Sequence, residues 1–450
     1  MKNATFSLAP LRILGVATAI LMTVTGLTSS VRAQTYNTIH SFAGFNQGDG
    51  ADPRASLILN GSGNLYGTTF QGGAGACGDG CGTVFELTPV SGGWQETVLH
   101  EFTGKNGSLP WAGLVSDGTN LYGTTWQGGT LSECGGSGCG VVFKLSPSTT
   151  GWQETVLHIF SGGKDGANPR DGLILDASGN LYGTTSQGGI AADCGGHGCG
   201  VVFELSPFSG GGWAEKELHS FTGGKDGAQP WSGLIFDADG NLYGTTSAGG
   251  SPIGVSGAGV VFELKPASGG GWKETVLHDF SFDAKGSTPA AGVIFDSHGN
   301  LYGTTSGGGV TTGECSPGGC GVVFKLSPDV STGGWAQSVI HTFQGTRDGA
   351  IPDAGLILDT SGNLYGTTQQ GGLLTGGCNF NRCGVVFEFS PTATGWKETV
   401  LHDFIGTSAD GALPEAGLVL DSSTGNLYGT TTEDGPSGGT GGGTAFEITP

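Results

Sequence analysis

One unit of about 60 residues is repeated seven times along this 450-residue chain, and that repetition leaves few folds open. The hexapeptide Asn-Leu-Tyr-Gly-Thr-Thr recurs with its tyrosine at Tyr66, Tyr122, Tyr182, Tyr243, Tyr302, Tyr365 and Tyr428. A second mark, aliphatic-His-Xaa-Phe, recurs at His40, His100, His158, His219, His278, His341 and His402. Long periods of this kind signal arrays in which each unit buries its apolar face on a neighbour. Seven units need about 420 residues, which leaves no room for linkers or a second domain.

Each unit holds four strand-like runs. In the third unit they are 171–176 (DGLILD), 180–185 (NLYGTT), 200–206 (GVVFELS) and 213–221 (WAEKELHSF). Gly, Asn, Asp, Ser or Pro separates them, as turn chemistry requires. The 92 glycines are therefore punctuation, and no Gly-X-Y period points to collagen. Four strands repeated seven times predict an all-β chain folded as a seven-bladed β-propeller of four-stranded blades. The repeats open with a fourth strand alone (36–42) and close after a third (443–449). The N-terminal strand is thus expected to complete the last blade and lock the ring.

Lys2 and Arg12, the apolar run from Ile13 to Leu27, and Val31-Arg32-Ala33 predict a secretory signal peptide over 1–33. The run is short for a membrane span, which needs about 20 residues, and an uncleaved anchor is the alternative. Residues 34–450 would then form a single propeller domain, secreted, extracellular or periplasmic, and monomeric. Without Lys2, Arg12 and Arg32, 14 basic residues face 38 acidic ones, a net charge of −24. So acidic a surface repels phosphate backbones, which argues against a nucleic-acid partner. No later stretch is apolar and long enough to span a membrane.

The ten cysteines fall as five local pairs: Cys77/Cys81, Cys134/Cys139, Cys194/Cys199, Cys315/Cys320 and Cys378/Cys383. Such spacings across Gly-rich turns bring alpha carbons within bridging distance. The equivalent stretches 251–259 and 436–443 lack both cysteines together, as bonded pairs predict. Zinc would need more ligands, and only one of these loops, with His197, holds a histidine. We read five disulfides and an oxidising compartment, with no metal and no cofactor.

The order proline, aliphatic strand ending in Asp, turn, Gly-Asn-Leu-Tyr resembles NHL-type propeller repeats, whose first strand lines the channel. The whole unit, GNLYGTT followed by a GG-containing loop and GVVFELSP (179–185 and 200–207), resembles the GloVer tandem-repeat family of exported bacterial proteins. The resemblance covers the whole chain after the leader and implies a fold and a compartment, but no known activity.

Residues present in every unit belong to the scaffold. That covers the seven histidines, which sit one per blade, the Thr-Thr pairs, and Trp94, Trp152, Trp213, Trp272, Trp335 and Trp396. Asp237-Ala-Asp239-Gly-Asn241 opens like a calcium loop, but its twelfth position is Ala248, so it reads as a turn. The informative position follows each repeat proline: Arg54, Trp111, Arg170, Trp231, Ala290, Asp353 and Glu415. If the next strand is innermost, these seven side chains ring one mouth of the channel, near loops begun by Phe70 and Trp126 and tipped by His197.

Three functions remain open. A binding module would hold glycan or protein at Arg54, Trp111, Trp126, Arg170 and Trp231, since Arg and Trp stack on and hydrogen-bond sugars and dominate protein hot spots. A hydrolase or lyase would use Asp353 and Glu415, with Asp171 across the ring, as acid and base; no preorganised catalytic set is apparent, and this reading is secondary. A surface scaffold would use no pocket at all.

Overall fold

The computed structural model describes Met1 and residues 34–449, apart from 46–47, 76, 190–193, 252–256, 316, 374–382, 408 and 434–441. The chain divides into two compact units, Met1–Ala33 and Gln34–Pro450, and the blades belong to the second. The expected leader over 1–33 lies, beyond Met1, outside the described residues. Among those described, no helix is long and apolar enough to cross a membrane.

Seven antiparallel four-stranded sheets form the ring. Blade 3 shows the plan, with strands Ile174–Leu175, Leu181–Thr185, Val201–Phe208 and Gly212–Ser220 in that spatial order. The innermost strand is far shorter than the six residues read from the sequence. Only Ile174 and Leu175 pair, with Tyr182 and Leu181. Asp171 bonds instead to the blades on either side, its carbonyl accepting from Thr124 Oγ1 of blade 2 at 3.4 Å and its carboxylate from Gly233 N–H of blade 4. The 176–180 turn is the tight hairpin expected, closed by Asp176 N–H to the Asn180 carbonyl at 3.0 Å, with Gly179 at φ 84°. Asp237 closes its own turn by accepting from the Asp239 and Asn241 N–H groups, each at 2.9 Å.

The ring closes as the sequence predicts. Strand Thr35–Ser41 pairs with Thr444–Thr449 and completes blade 7. In every blade the first threonine of the Thr-Thr pair donates to a carbonyl of the next blade. The series runs from Thr68 to Ala112, through Thr184 to Ser232 (both 2.9 Å), to Thr430 donating back to Ala55 at 3.4 Å.

The core lies between blades rather than within them. One cluster joins Tyr122, Cys139, Val142 and Phe160 of blade 2 to Leu173, Leu181, Phe203 and Leu205 of blade 3. The motif glycine is required here, because a Cβ on Gly183 would stand 2.7 Å from the Phe203 ring and 2.8 Å from Leu173. LYG and VVF are thus two halves of one contact.

The outer strand carries a β-bulge in each blade. In blade 3, Val202 pairs with His219 but Phe203 pairs with Glu217, leaving Leu218 unpaired. A bulge reverses which face later side chains take. The strand's Trp and Glu therefore face the preceding blade, and its His faces the following one. Accordingly Trp152 packs on Tyr66, and Trp213 on Tyr122.

The histidines are scaffold groups, as read from the sequence. Each stacks edge-on to the Phe two residues on, at 4.6–4.8 Å between centroids. Most meet an aspartate of the following loop: Asp165 lies 3.3 Å from His158 and Asp348 lies 3.2 Å from His341. A partner the sequence reading missed is the Glu two residues after five of the six outer-strand tryptophans. Glu154 of blade 2 comes 3.4 Å from His100 of blade 1, and Glu398 comes 3.7 Å from His341.

Among the described residues four disulfides are formed, Cys77–Cys81, Cys134–Cys139, Cys194–Cys199 and Cys315–Cys320, with alpha carbons 4.9–5.3 Å apart. Cys383 is buried, and Cys378 lies outside the described residues.

Candidate functional site at the channel mouth

Each mouth residue is set by a three-residue device. The residue before the repeat proline holds a left-handed backbone, φ 53–58°, at Asp52, Leu109, Asn168, Gln229, Thr288, Ile351 and Leu413. Two backbone hydrogen bonds keep it there. The Asn168 N–H donates to the Cys139 carbonyl of blade 2 at 2.8 Å, and the Asn168 carbonyl accepts from Ser186 N–H at 3.2 Å. The proline then lies on a glycine of the preceding blade: a Cβ on Gly200 would stand 2.7 Å from Pro230 Cδ. Left-handed backbone on non-glycine residues costs energy and persists only where its surroundings impose it. Here it aims the next side chain at the axis.

The result is a cavity of about 330 Å³ that all seven blades line. Arg54, Trp111, Arg170, Trp231, Ala290, Asp353 and Glu415 all contribute, so the positions singled out in sequence do meet. That volume is at the lower end for small-molecule sites. Trp126 stands behind the wall, packing edge-on against Trp111 at 5.9 Å and on Phe70 at 6.3 Å. His197 is exposed and does not line the cavity.

Four of these side chains form a ladder of alternating cations and rings. The Arg54 guanidinium lies 4.7 Å from the Phe70 ring and 4.5 Å from Trp111. Arg170 lies 4.3 Å from Trp111 and 4.0 Å from Trp231. Trp111, in the blade between the two arginines, is thus stacked by both.

The two arginines differ in what neutralises them. Arg54 donates from Nε and Nη2 to Asp52 Oδ2 at 2.9 and 2.8 Å, and from Nη1 to Glu415 Oε2 at 3.2 Å. Gln369 holds the other Glu415 oxygen at 2.7 Å. Burial nonetheless pushes the Asp52 carboxyl up to about 6, against the pull of Arg54. Arg170 has no hydrogen bond or ion pair among the described residues. Burial disfavours its charge, and Asp353 and Glu415 act on it only through the field.

The carboxylates differ as well. Asp353 is pushed up to about 7, first by burial and then by the charge of Glu415, with Arg170 pulling the other way. Asp171 is spent on structure: its Oδ1 accepts from Gly172 N–H at 2.6 Å and its Oδ2 from Gly233 N–H of blade 4 at 2.5 Å. Both oxygens being engaged, Asp171 is not free to serve as the third acid considered from the sequence.

Comparison with solved structures finds likeness of fold. A fungal alcohol oxidase in complex with copper aligns with a TM-score of 0.51 at 12% identity, over 92% of this chain and 76% of that one. A putative 6-phosphogluconolactonase from Bacteroides uniformis gives 0.47 at 15% identity, over 77% and 84%. PhoX from Pseudomonas fluorescens, in complex with vanadate, gives 0.44 at 10% identity, over 93% and 95%. No curated protein matches. The family model described as the Gloeobacter/Verrucomicrobia repeat matches residues 21–193, 129–380 and 309–450, and this chain belongs to that repeat family.

Proposed function

We propose that this is an exported binding protein that takes a glycan or protein ligand at the mouth of its propeller channel. The observation that carries this reading is asymmetry. In a ring whose scaffold repeats seven times, the seven mouth positions carry five residue types, and they leave a cavity holding a half-buried cation with no hydrogen-bonded or ion-paired anion among the described residues. Export is supported by the charged, apolar and small-residue order of the first 33 residues and by the disulfides. A glycan-array screen followed by tryptophan fluorescence tests the site. Trp111→Ala with Trp231→Ala should abolish binding of any hit, and unchanged affinity would refute this location.

A second reading, acid–base catalysis, draws on one observation. Asp353 sits near neutrality while Glu415 is tied to Arg54, and carboxylates held in different states can divide acid and base roles. An Asp353→Asn variant that keeps full turnover of any substrate found would remove it.

A further inference from the structure

We propose that the mouth receives a singly charged carboxylate on a hydroxylated ring, a uronic-acid residue of a glycan, with the carboxylate docked on Arg170. This rests on the reading of the mouth as a binding site and names the ligand's chemistry.

Charge comes first. Arg54 is ion-paired to Asp52 and Glu415, and both oxygens of Asp171 are engaged by backbone N–H groups. With Asp353 protonated, the guanidinium of Arg170 is the charge at the cavity that lacks a hydrogen-bonded or ion-paired partner among the described residues. A desolvated cation without a hydrogen-bonded anion gains most from a ligand that brings one, and guanidinium pairs with carboxylate through two parallel hydrogen bonds. Its faces are taken by Trp111 and Trp231, so its free N–H edge is what it offers a ligand.

The rest of the wall selects among anions. Glu415 repels a phosphate dianion more than a monoanion, which disfavours phosphorylated ligands. Asp353 and Glu415 also present hydrogen-bonding oxygens suited to hydroxyl groups. A monoanion with hydroxyls around it meets these conditions, and a uronate is that combination. The affinity should also depend on pH. Asp353 faces Glu415 and Arg170, with Ser306 beside it and Arg54 and Asp171 in the same mouth. Once ionised it opposes a bound carboxylate, so affinity should fall as pH rises through about 7.

The test is calorimetric titration of the disulfide-bonded protein with galacturonate, galactose and butyrate at pH 6 and pH 8. Galacturonate should bind at pH 6 at least about tenfold more tightly than galactose, which lacks the carboxylate, and than butyrate, which lacks the hydroxyls. Arg170→Gln should lose that preference. Arg170→Lys, which loses the same planar stacking but keeps the charge, should retain part of it. Asp353→Asn should bind with little change between pH 6 and pH 8. Galactose binding as tightly as galacturonate, or Arg170→Gln binding like the native protein, overturns the inference. If Trp231→Ala still abolishes that binding, the mouth reading survives. Butyrate or a glutamate-containing peptide binding as well as galacturonate overturns the sugar and leaves the anion. No binding of any probe overturns the inference, while the glycan-array screen judges the mouth separately.

Discussion

Replacing Glu154 by Gln should give blades 1 and 2 a pH dependence that the native junction cancels. Glu154 and His100 face each other 3.4 Å apart, with side chains 11% and 16% exposed. Asn106 Nδ2 donates to Glu154 Oε2 at 2.7 Å, while Oε1 is buried without a hydrogen bond. Burial pushes the carboxyl up to about 7 and the imidazole down to about 4. The folded pair is therefore an uncharged acid beside an uncharged imidazole, holding one proton. Unfolded, ordinary values of about 4.3 and 6.5 make it a carboxylate and an imidazolium, again with one proton. Stability changes with pH only where the two states bind different numbers of protons. Between about pH 4.3 and 6.5 this pair contributes no slope.

In Glu154→Gln the new amide would bind no proton. The folded variant would then hold His100 neutral down to about pH 4, while its unfolded state takes up a proton below about 6.5. The unfolded state binds more protons in that window, so stability falls as pH falls. At pH 5 the shift amounts to about 2 kcal/mol before solvent screening and about 1 kcal/mol after it. In a chain this long that is about 1 °C in Tm. Calorimetry of both proteins at pH 7.5 and pH 5, with the His100 ring proton followed by NMR, reads it. The opposite result, stability lost at pH 7.5 with His100 titrating above its ordinary value, would mean a charged ion pair and would refute the reasoning. The chain contains its own control: Gln337 takes the glutamate's place opposite His278, whose imidazole burial also lowers.

Two substitutions test the scaffold. Gly183→Ala should cost about 1–3 kcal/mol, because its backbone is not left-handed and the added methyl meets Phe203 and Leu173 below 3 Å. Unchanged urea denaturation would contradict that packing. Thr288→Asn should stabilise blade 5 by about 1 kcal/mol, since a β-branched residue at φ 57° is strained and Asn tolerates that backbone, as Asn168 does in blade 3. A lower Tm would show that Thr288 is not strained there.

What could be read in advance depended on range. The motif glycine and the phenylalanine of the third strand recur together, yet their contact was not legible until the strands paired. The short inner strand was overread because DGLILD has strand composition, whereas Asp171 finds its partners in the blades on either side. The glutamate two residues after Trp was missed although it recurs as Glu96, Glu154, Glu215, Glu274 and Glu398. On simple alternation it shares a face with the histidine of its own strand. The unpaired Leu218 and its equivalents break that alternation, and no local residue preference announces such a bulge. At the equivalent place in the closing strand Tyr36 stands instead, its ring stacked 3.8 Å from His402. That exception also hid the pattern.

The repeat by itself determined the number of blades, the strands in each, the closing N-terminal strand, the local pairing of the cysteines and the seven residues that meet at the mouth. Those are matters of period and of neighbours a few residues apart. Only the tertiary structure decided how the mouth charges are matched. Arg54 is paired with Glu415, 361 residues away, Asp171 accepts from a glycine N–H 62 residues away, and Arg170 has no hydrogen bond or ion pair among the described residues. Compensation of charge follows distance through space and the water excluded from it, and a one-dimensional sequence records neither.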